Sequence, residues 1–321
     1  MSPSVFILGT GFIGGSVLQG LLDEKKYEIA ALCRDDRKAD KLKELGVRPV
    51  RGELSSDEVI STEAAKADII FHIATADDLP SVKSILKGLE QRPAEKKPAI
   101  YIHTSGTGVL TVPVHPDTLV FADKSPEIFD KNIPDHAPHR EIDLTIKKAV
   151  ESGKLNAKIS IILPPCIYGI GTGPFNKRSI QIPLWAQDAV KKGKFVSYGP
   201  QHRWNNIHIK NLVTAYQTLL AHNESADTVP LYVIAETGTH LWGDIAPVLE
   251  GELKKHQLIP SDAQTEVVKE GNTETETGTQ SISKSEWLHE WGWKVQKEES
   301  IVESVPETIQ HMVDLGEFKQ K

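Results

Sequence analysis

Val5-Phe6-Ile7-Leu8-Gly9-Thr10-Gly11-Phe12-Ile13-Gly14-Gly15 decides the fold. Its opening run of apolar residues suits a strand buried on both faces. A glycine-rich turn follows, and Ser16-Val17-Leu18-Gln19-Gly20-Leu21-Leu22 then places apolar residues at helical spacing. Gly9, Gly11 and Gly14 fit G-x-G-x-x-G in the strand–turn–helix context that gives the motif its meaning. Gly9 allows a tight turn, Gly11 lets a pyrophosphate approach bare backbone, and Gly14 lets the helix pack closely on the strand. The helix start offers unpaired N–H groups and about half a positive charge. Gly9, Thr10, Gly11, Phe12, Ile13 and Gly14 are therefore expected to hold a dinucleotide. The alternative is a strand–helix corner with no ligand.

Composition narrows the classes. The chain has 321 residues, enough for one large domain or two smaller ones. Lys and Arg number 37 against 44 Asp and Glu, a formal charge of −7. That argues against non-specific nucleic-acid binding, which needs a basic face. Two cysteines far apart, Cys33 and Cys166, read as reduced thiols. No apolar run approaches the ~20 residues a membrane helix needs, and no charged leader opens the chain. The expectation is a soluble, cytoplasmic protein with a small-molecule substrate, no nucleic-acid or membrane partner, no metal, and a homodimer left open.

Further along, Glu28 to Cys33 reads as a second strand ending in Arg34-Asp35-Asp36-Arg37. An acid at this strand end bonds the ribose hydroxyls of NAD, whereas arginine suits the extra phosphate of NADP. Arg34 lies 25 residues after Gly9, and guanidinium grips phosphate with paired N–H bonds. Arg34, with Arg37 beside it, therefore favours NADP over NAD. Alternatively Asp35 or Asp36 bonds the ribose, or caps the helix from Arg37 to Leu45.

More strands follow at Val47 to Gly52, Asp68 to Ile73, Ala99 to His103, Lys158 to Leu163 and Leu231 to Ala235, with helical stretches between. Strands alternating with helices imply a doubly wound parallel sheet, an α/β Rossmann architecture. Ligands bind such sheets at the strands' carboxyl ends. Gly9, Arg34, Thr75 and Ser105 all fall there. Small residues at Ala74 and Thr75 would let the adenosine lie against backbone. Thr111 to Pro138 reads as a long surface loop, Pro164 to Pro174 as a rigid glycine-rich loop, and Asn272 to Gly278 as a mobile, solvated one. The expected division is 1–163 plus 207–235 for the nucleotide domain, and 164–206 plus 236–321 for a smaller, discontinuous substrate lobe.

These stretches resemble the short-chain dehydrogenase/reductase superfamily, closest to its extended and atypical branches, the epimerase/dehydratase-like and NmrA-like proteins. The resemblance rests on Gly9 to Gly14, Arg34-Asp35, Val50 to Leu54, Asp68 to Ala74, Pro164 to Gly169, Trp204 to His208 and Trp291 to Lys294. It implies a nicotinamide cofactor contacted also by Thr104, Ser105, Pro164, Pro165 and Ile167. The superfamily's usual catalytic set is a serine plus Tyr-x-x-x-Lys. Ser105 matches the serine. The tyrosine motif is missing: four residues after Tyr27, Tyr101, Tyr168, Tyr198, Tyr216 and Tyr232 stand Ala31, Ser105, Thr172, His202, Leu220 and Glu236.

Where the motif's helix belongs, His139 and Asp143 occupy its spacing on one helical face. Imidazole titrates near neutrality. The expectation is that His139 replaces the tyrosine, Asp143 orients or charges it, and Ser105 polarises a carbonyl oxygen; Tyr168 is the rival proton donor. His136 and His139 could begin a metal pair, but no third ligand has suitable spacing. The function expected is an NADP-dependent oxidoreductase acting on a small carbonyl or hydroxyl compound. The alternatives are an epimerase or dehydratase with no net redox change, or an NADP-sensing regulator without turnover.

Overall fold

Strand β1 (Ser4–Leu8) runs through the turn at Gly9 into helix α1 (Phe12–Glu24), as the opening stretch dictates. The computed structural model describes residues 2–112, 116, 118–272 and 274–318. After α1 come β2 (Glu28–Cys33), α2 (Asp36–Glu44), β3 (Arg48–Arg51), α3 (Asp57–Lys66), β4 (Ile69–His72), α4 (Leu79–Glu90) and β5 (Ala99–Thr104). The middle of the chain holds β6 (Phe121–Ala122), α5 (Glu127–Asn132), α6 (Arg140–Glu151), β7 (Ala157–Leu163), β8 (Cys166–Tyr168) and α7 (Gln181–Lys192). It continues with β9 (Val196–Tyr198), β10 (Arg203–His208), α8 (Ile209–Ser225), β11 (Tyr232–Ile234), β12 (Gly238–Leu241) and α9 (Trp242–Lys255). The last elements are β13 (Glu266–Val268), β14 (Ser283–Lys284), α10 (Trp287–Glu290) and α11 (Val305–Asp314).

Seven strands form one sheet in the order β11-β7-β5-β4-β1-β2-β3, and every pairing in it is parallel. This is the doubly wound α/β Rossmann arrangement. The order reverses between β1 and β4, and that is where such sheets open a crevice at their carboxyl ends. Both sheet faces are covered. Leu18 and Leu21 of α1 pack with Leu212 and Leu219 of α8 on one side. Ile60, Val82, Ile85, Ile142 and Ile146 pack on the other. Each such side chain contributes roughly 1.5–3 kcal/mol on burial.

A separate core gathers Trp185, Trp204, Trp242, Ile245, Leu249, Ile309 and Met312 beneath the β12-β10-β8 sheet. Leu288 and Trp293 do not join it; they pack into the α1/α8 face of the large sheet. The chain thus returns to the nucleotide side late, within the stretch 236–321 that the sequence assigns to the substrate lobe.

Three loop expectations give way. Thr111 to Pro138 contains β6 and α5, with Phe121 and Phe129 each 1% exposed. Phe129 stacks on Tyr232 at 5.0 Å. Two aromatic anchors among Pro, Asp and His are enough to dock the segment, although residues 113–115 and 117 lie outside the described residues. Pro164 to Pro174 contains strand β8, not loop alone. Asn272 to Gly278, with Thr273 outside the described residues, is a packed turn: Asn272 N–H donates to the Thr277 carbonyl at 2.7 Å, and Thr277 is buried. Gly278 has φ +75°, and a Cβ there would lie 2.3 Å from the Tyr198 oxygen. No helix among the described residues is long and apolar enough to cross a membrane.

Candidate active site

The three motif glycines face three different surroundings. Gly9 has φ +96°, and a Cβ on it would lie 2.3 Å from Ala74 Cα. A Cβ on Gly14 would lie 2.0 Å from the Gly9 carbonyl oxygen. A Cβ on Gly11 would meet nothing within 4 Å. The first two close the crossing between β1 and β4; the third leaves bare backbone open. Gly11 also caps α1 with no side-chain hydrogen bond, so the helix start keeps its donors free for an anion. Thr10 is buried and its hydroxyl has no partner.

Around this turn, the loop after β8 docks on α1: Thr172 N–H donates to Ser16 Oγ at 3.2 Å, and Gly173 packs on Gly15. At the β2 end, Asp35 caps α2 by accepting from Lys38 N–H at 2.8 Å. Asp36 pairs with Arg51 at 3.0 Å. Both acids are engaged, while Arg34 and Arg37 stay exposed. Lys38 lies 4.9 Å over the Phe175 ring.

From Ile13 a cleft of about 580 Å³ opens past Ala74, Thr75, Thr104, Ser105, Pro164, Pro165 and Ile167. Thr104 Oγ1 shares a 2.6 Å hydrogen bond with Tyr216, so the threonine holds the floor of the cleft. Ser105 Oγ donates to Asp143 Oδ2 at 3.1 Å. Asp143 is 1% exposed and its other oxygen has no partner. Burial pushes its carboxyl up to about 7, against the Ser105 bond and the charges of His139 and Arg140.

His139 stands across from Ser105. Its Nδ1 meets Asp77 Oδ1 at 2.7 Å. Burial pulls the imidazole down, but the Asp77 bond and the charges of Asp77, Glu276 and Asp143 outweigh it, and the net shift is upward. The same bond holds Asp77 below the usual carboxylate range. Glu276 closes the far side: a Cβ on Gly108 would lie 2.5 Å from its carboxylate and 3.1 Å from His139 Nε2. Burial raises the Glu276 carboxyl. His139 (φ 64°) and Glu276 (φ 58°) both hold left-handed backbone. The other such residues, Lys25 and Gln257, sit at helix C-termini where that conformation is routine. Left-handed non-glycine residues cost on the order of 1–3 kcal/mol and cluster at functional sites. Two further histidines lie beneath: His72 and His103 share a 2.9 Å contact, and burial keeps both neutral. Neither lines the cleft.

With this geometry in hand, relatives can be compared. Residues 4–88 match the NmrA-like family. The fold superposes on UDP-glucuronic acid 4-epimerase of Bacillus cereus with a TM-score of 0.67, covering 97% of this chain and 99% of that one at 13% identity. It superposes on DesIV, a dTDP-glucose 4,6-dehydratase of Streptomyces venezuelae, with a TM-score of 0.69, covering 97% of each at 16% identity. The chain has the fold of these Rossmann enzymes, and its NmrA-like likeness covers residues 4–88. By sequence it is also similar to an oxidase, ucsJ, of Acremonium sp, 27% identical over 288 residues and 81% of both chains. A shorter likeness, 32% over 66 residues and about a fifth of each chain (21% and 20%), links it to a farnesyl-dihydroquinoline-oxide ketoreductase of Stigmatella aurantiaca.

Within this fold, several sequence-derived positions need revision. Tyr168 does not reach the cleft. On β8, Cys166 and Tyr168 share the face that packs into the lobe core, and only Ile167 lines the cleft, as strand alternation requires. The Tyr168 hydroxyl donates to the Glu299 carbonyl at 2.9 Å. Asp143 does not orient His139, which it reaches only through its charge; its hydrogen bond is with Ser105. The spacing argument assumed both residues lie on the helix. His139 instead occupies the N-cap of α6 with left-handed backbone, which turns its ring off the helical face. Its partner, Asp77, was missed. Asp77 stands beside Asp78, which caps α4 by accepting from Ser81 N–H at 2.8 Å, and nothing in the sequence separates the capping acid from the one in the cleft. Glu276 was missed because low-complexity composition disguised a packed turn.

Proposed function

We propose that this chain is an NADP-dependent oxidoreductase acting on a small carbonyl or hydroxyl compound. One observation carries the reading: a single cleft runs from Ile13, two residues after the open backbone at Gly11, to Ser105 and the His139–Asp77 pair. The residues fit a dinucleotide. The uncapped α1 start suits the pyrophosphate, Ala74 and Thr75 offer a small-residue bed, and Arg34 and Arg37 suit a 2′-phosphate. When bound, the nicotinamide would supply or accept the hydride, chemistry that belongs to the cofactor.

The chain's own work is to handle the proton. His139, fixed through Nδ1, turns Nε2 toward the Gly106–Gly108 turn. Against burial, the Asp77 bond raises the imidazole's affinity for protons, the direction a proton donor needs. Asp143, protonated up to about neutrality, would turn its O–H to Ser105 Oγ and free the serine's single hydroxyl proton for the substrate oxygen. Asp77 positions His139. Two relatives named as an oxidase and a ketoreductase support a redox step.

The test is NADPH consumption, followed by absorbance, across a panel of aldehydes and ketones. Consumption with at least one member is expected. Tight NADPH binding with no consumption by any of them would favour a cofactor sensor instead.

A further inference from the structure

Beyond the glycine loop the cleft wall is chemically uneven. Ile73, Ile167, Ile180, Leu184 and Trp204 give it an apolar surface. Its charged groups are Asp77, His139, Glu274 and Glu276, and neither lysine nor arginine lines it among the described residues. His139 is already matched by Asp77. Among the described residues, Glu276 has no cation of its own beyond that shared imidazole. The nearest arginine before α7, Arg178, is bound to Glu317 at 2.6 Å.

An anion placed here would sit beside Glu276 without a counter-charge. Burying an unpaired charge costs several kcal/mol. The start of α7, at Ile180 and Gln181, offers a dipole worth only about 0.3–1 kcal/mol. It does not offset that cost.

The same wall holds donors without acceptors. Trp204 is 1% exposed and its Nε1–H has no partner; Thr107 is 1% exposed and its hydroxyl has none. An indole N–H only donates, and a buried donor left unmatched costs about 1–3 kcal/mol. Both residues line the cleft. An uncharged acceptor on a bound molecule would satisfy them.

We infer that the substrate side of the cleft takes an uncharged, largely apolar carbonyl compound or alcohol with an acceptor for the Trp204 indole, and turns away carboxylates and phosphates, nucleotide sugars included. This rests on the reading of the cleft as a substrate site and names the substrate class. It separates the chain from the epimerase and dehydratase whose fold it shares, enzymes named for nucleotide-linked sugars.

The experiment is calorimetry on the full chain, saturated with NADPH, with methyl 4-formylbenzoate and 4-formylbenzoate, a neutral and an anionic compound of matched shape. The ester is expected to bind at least about ten-fold tighter than the acid. Glu276→Lys is expected to narrow that gap to about three-fold or less. Trp204→Phe, which keeps a ring and removes the N–H, is expected to weaken the ester by about five-fold or more. UDP-glucose is expected to give no saturable heat at millimolar concentration. Acid or UDP-glucose binding as tightly as the ester overturns the inference, and so does failure of both members of the pair to bind. NADPH binding is titrated separately by its fluorescence, with the ester then tested on the cofactor-free chain. Loss of the NADPH signal with the ester preference intact would overturn the nicotinamide reading alone.

Discussion

The glycine turn and the His139 side of the cleft are built in opposite ways. Gly9 to Gly14 is one continuous stretch whose geometry follows from local backbone needs. Asp77, Ser105, His139, Asp143 and Glu276 come from separated segments and meet only once the sheet and the second lobe are formed. A site of the first kind is carried by a motif. One of the second kind depends on backbone conformations, such as the left-handed His139, that no spacing rule encodes. A Tyr-x-x-x-Lys pair belongs to one helix; here His139, Asp77 and Glu276 come from a helix cap, the loop after β4 and a turn from far along the chain.

The sharpest way to break this contrast is on the assembled side. His139→Gln should lower kcat by about 10²–10⁴-fold, the usual contribution of a positioned acid, while NADPH affinity stays unchanged by fluorescence titration. Tyr168→Phe is the control. It removes only the bond to the Glu299 carbonyl, so kcat should stay within about two-fold while stability falls by about 1 kcal/mol in urea unfolding. Equal effects of the two would return the acid role to the strand position the sequence suggested.

On the motif side, one methyl group distinguishes two glycines. Gly14→Ala places Cβ 2.0 Å from the Gly9 oxygen and should cost on the order of 1–3 kcal/mol in urea unfolding, as overpacking does. Gly11→Ala meets open space. It should leave stability within about 0.5 kcal/mol yet weaken NADPH by about ten-fold. Matching stability losses would mean that the open face at Gly11 is not open.

Asp143 sharpens the assembled side through pH. Its carboxyl is raised in the folded chain to about 7, from an ordinary 3.8. Between those values the folded state binds the proton and the unfolded state does not. Its contribution is therefore complete below the lower value and lost as pH rises to the upper one. Asp143→Asn should flatten the fall in stability over that window by an amount on the order of 1–3 kcal/mol, measured by urea unfolding at a series of pH values. An unchanged slope would mean that Asp143 is ionised in the fold.

The smallest expected effect is at the β2 end. Arg34→Asp should weaken NADPH by about ten-fold and leave NADH within about two-fold, by fluorescence titration. Equal losses would detach Arg34 from the 2′-phosphate.

How far the sequence reached follows the same division. The parallel sheet and the glycine turn could be read because apolar runs and φ-demanding glycines act locally. The capping role of Asp35 was one of the alternatives weighed, because N-caps too are local. Asp77 and Asp78 were indistinguishable as a pair of acids after a strand, and only the fold sends one to α4 and the other to His139. Strand β8 was hidden by its prolines and glycines, and with it the alternation that sends Tyr168 into the lobe core. Gly278 packs because Tyr198 and His202 receive it, which composition around the turn does not reveal.

The central claim is that the bare main chain at Gly11 receives a nicotinamide dinucleotide in the cleft that holds Ser105 and His139. Fluorescence titration of NADPH into the full chain, with Gly11→Ala in parallel, tests it most directly. The account predicts saturable one-to-one binding by the parent chain and weakened binding by the variant. No binding of NADPH or NADH by the parent chain at millimolar concentration, or equal binding by both chains, would contradict it.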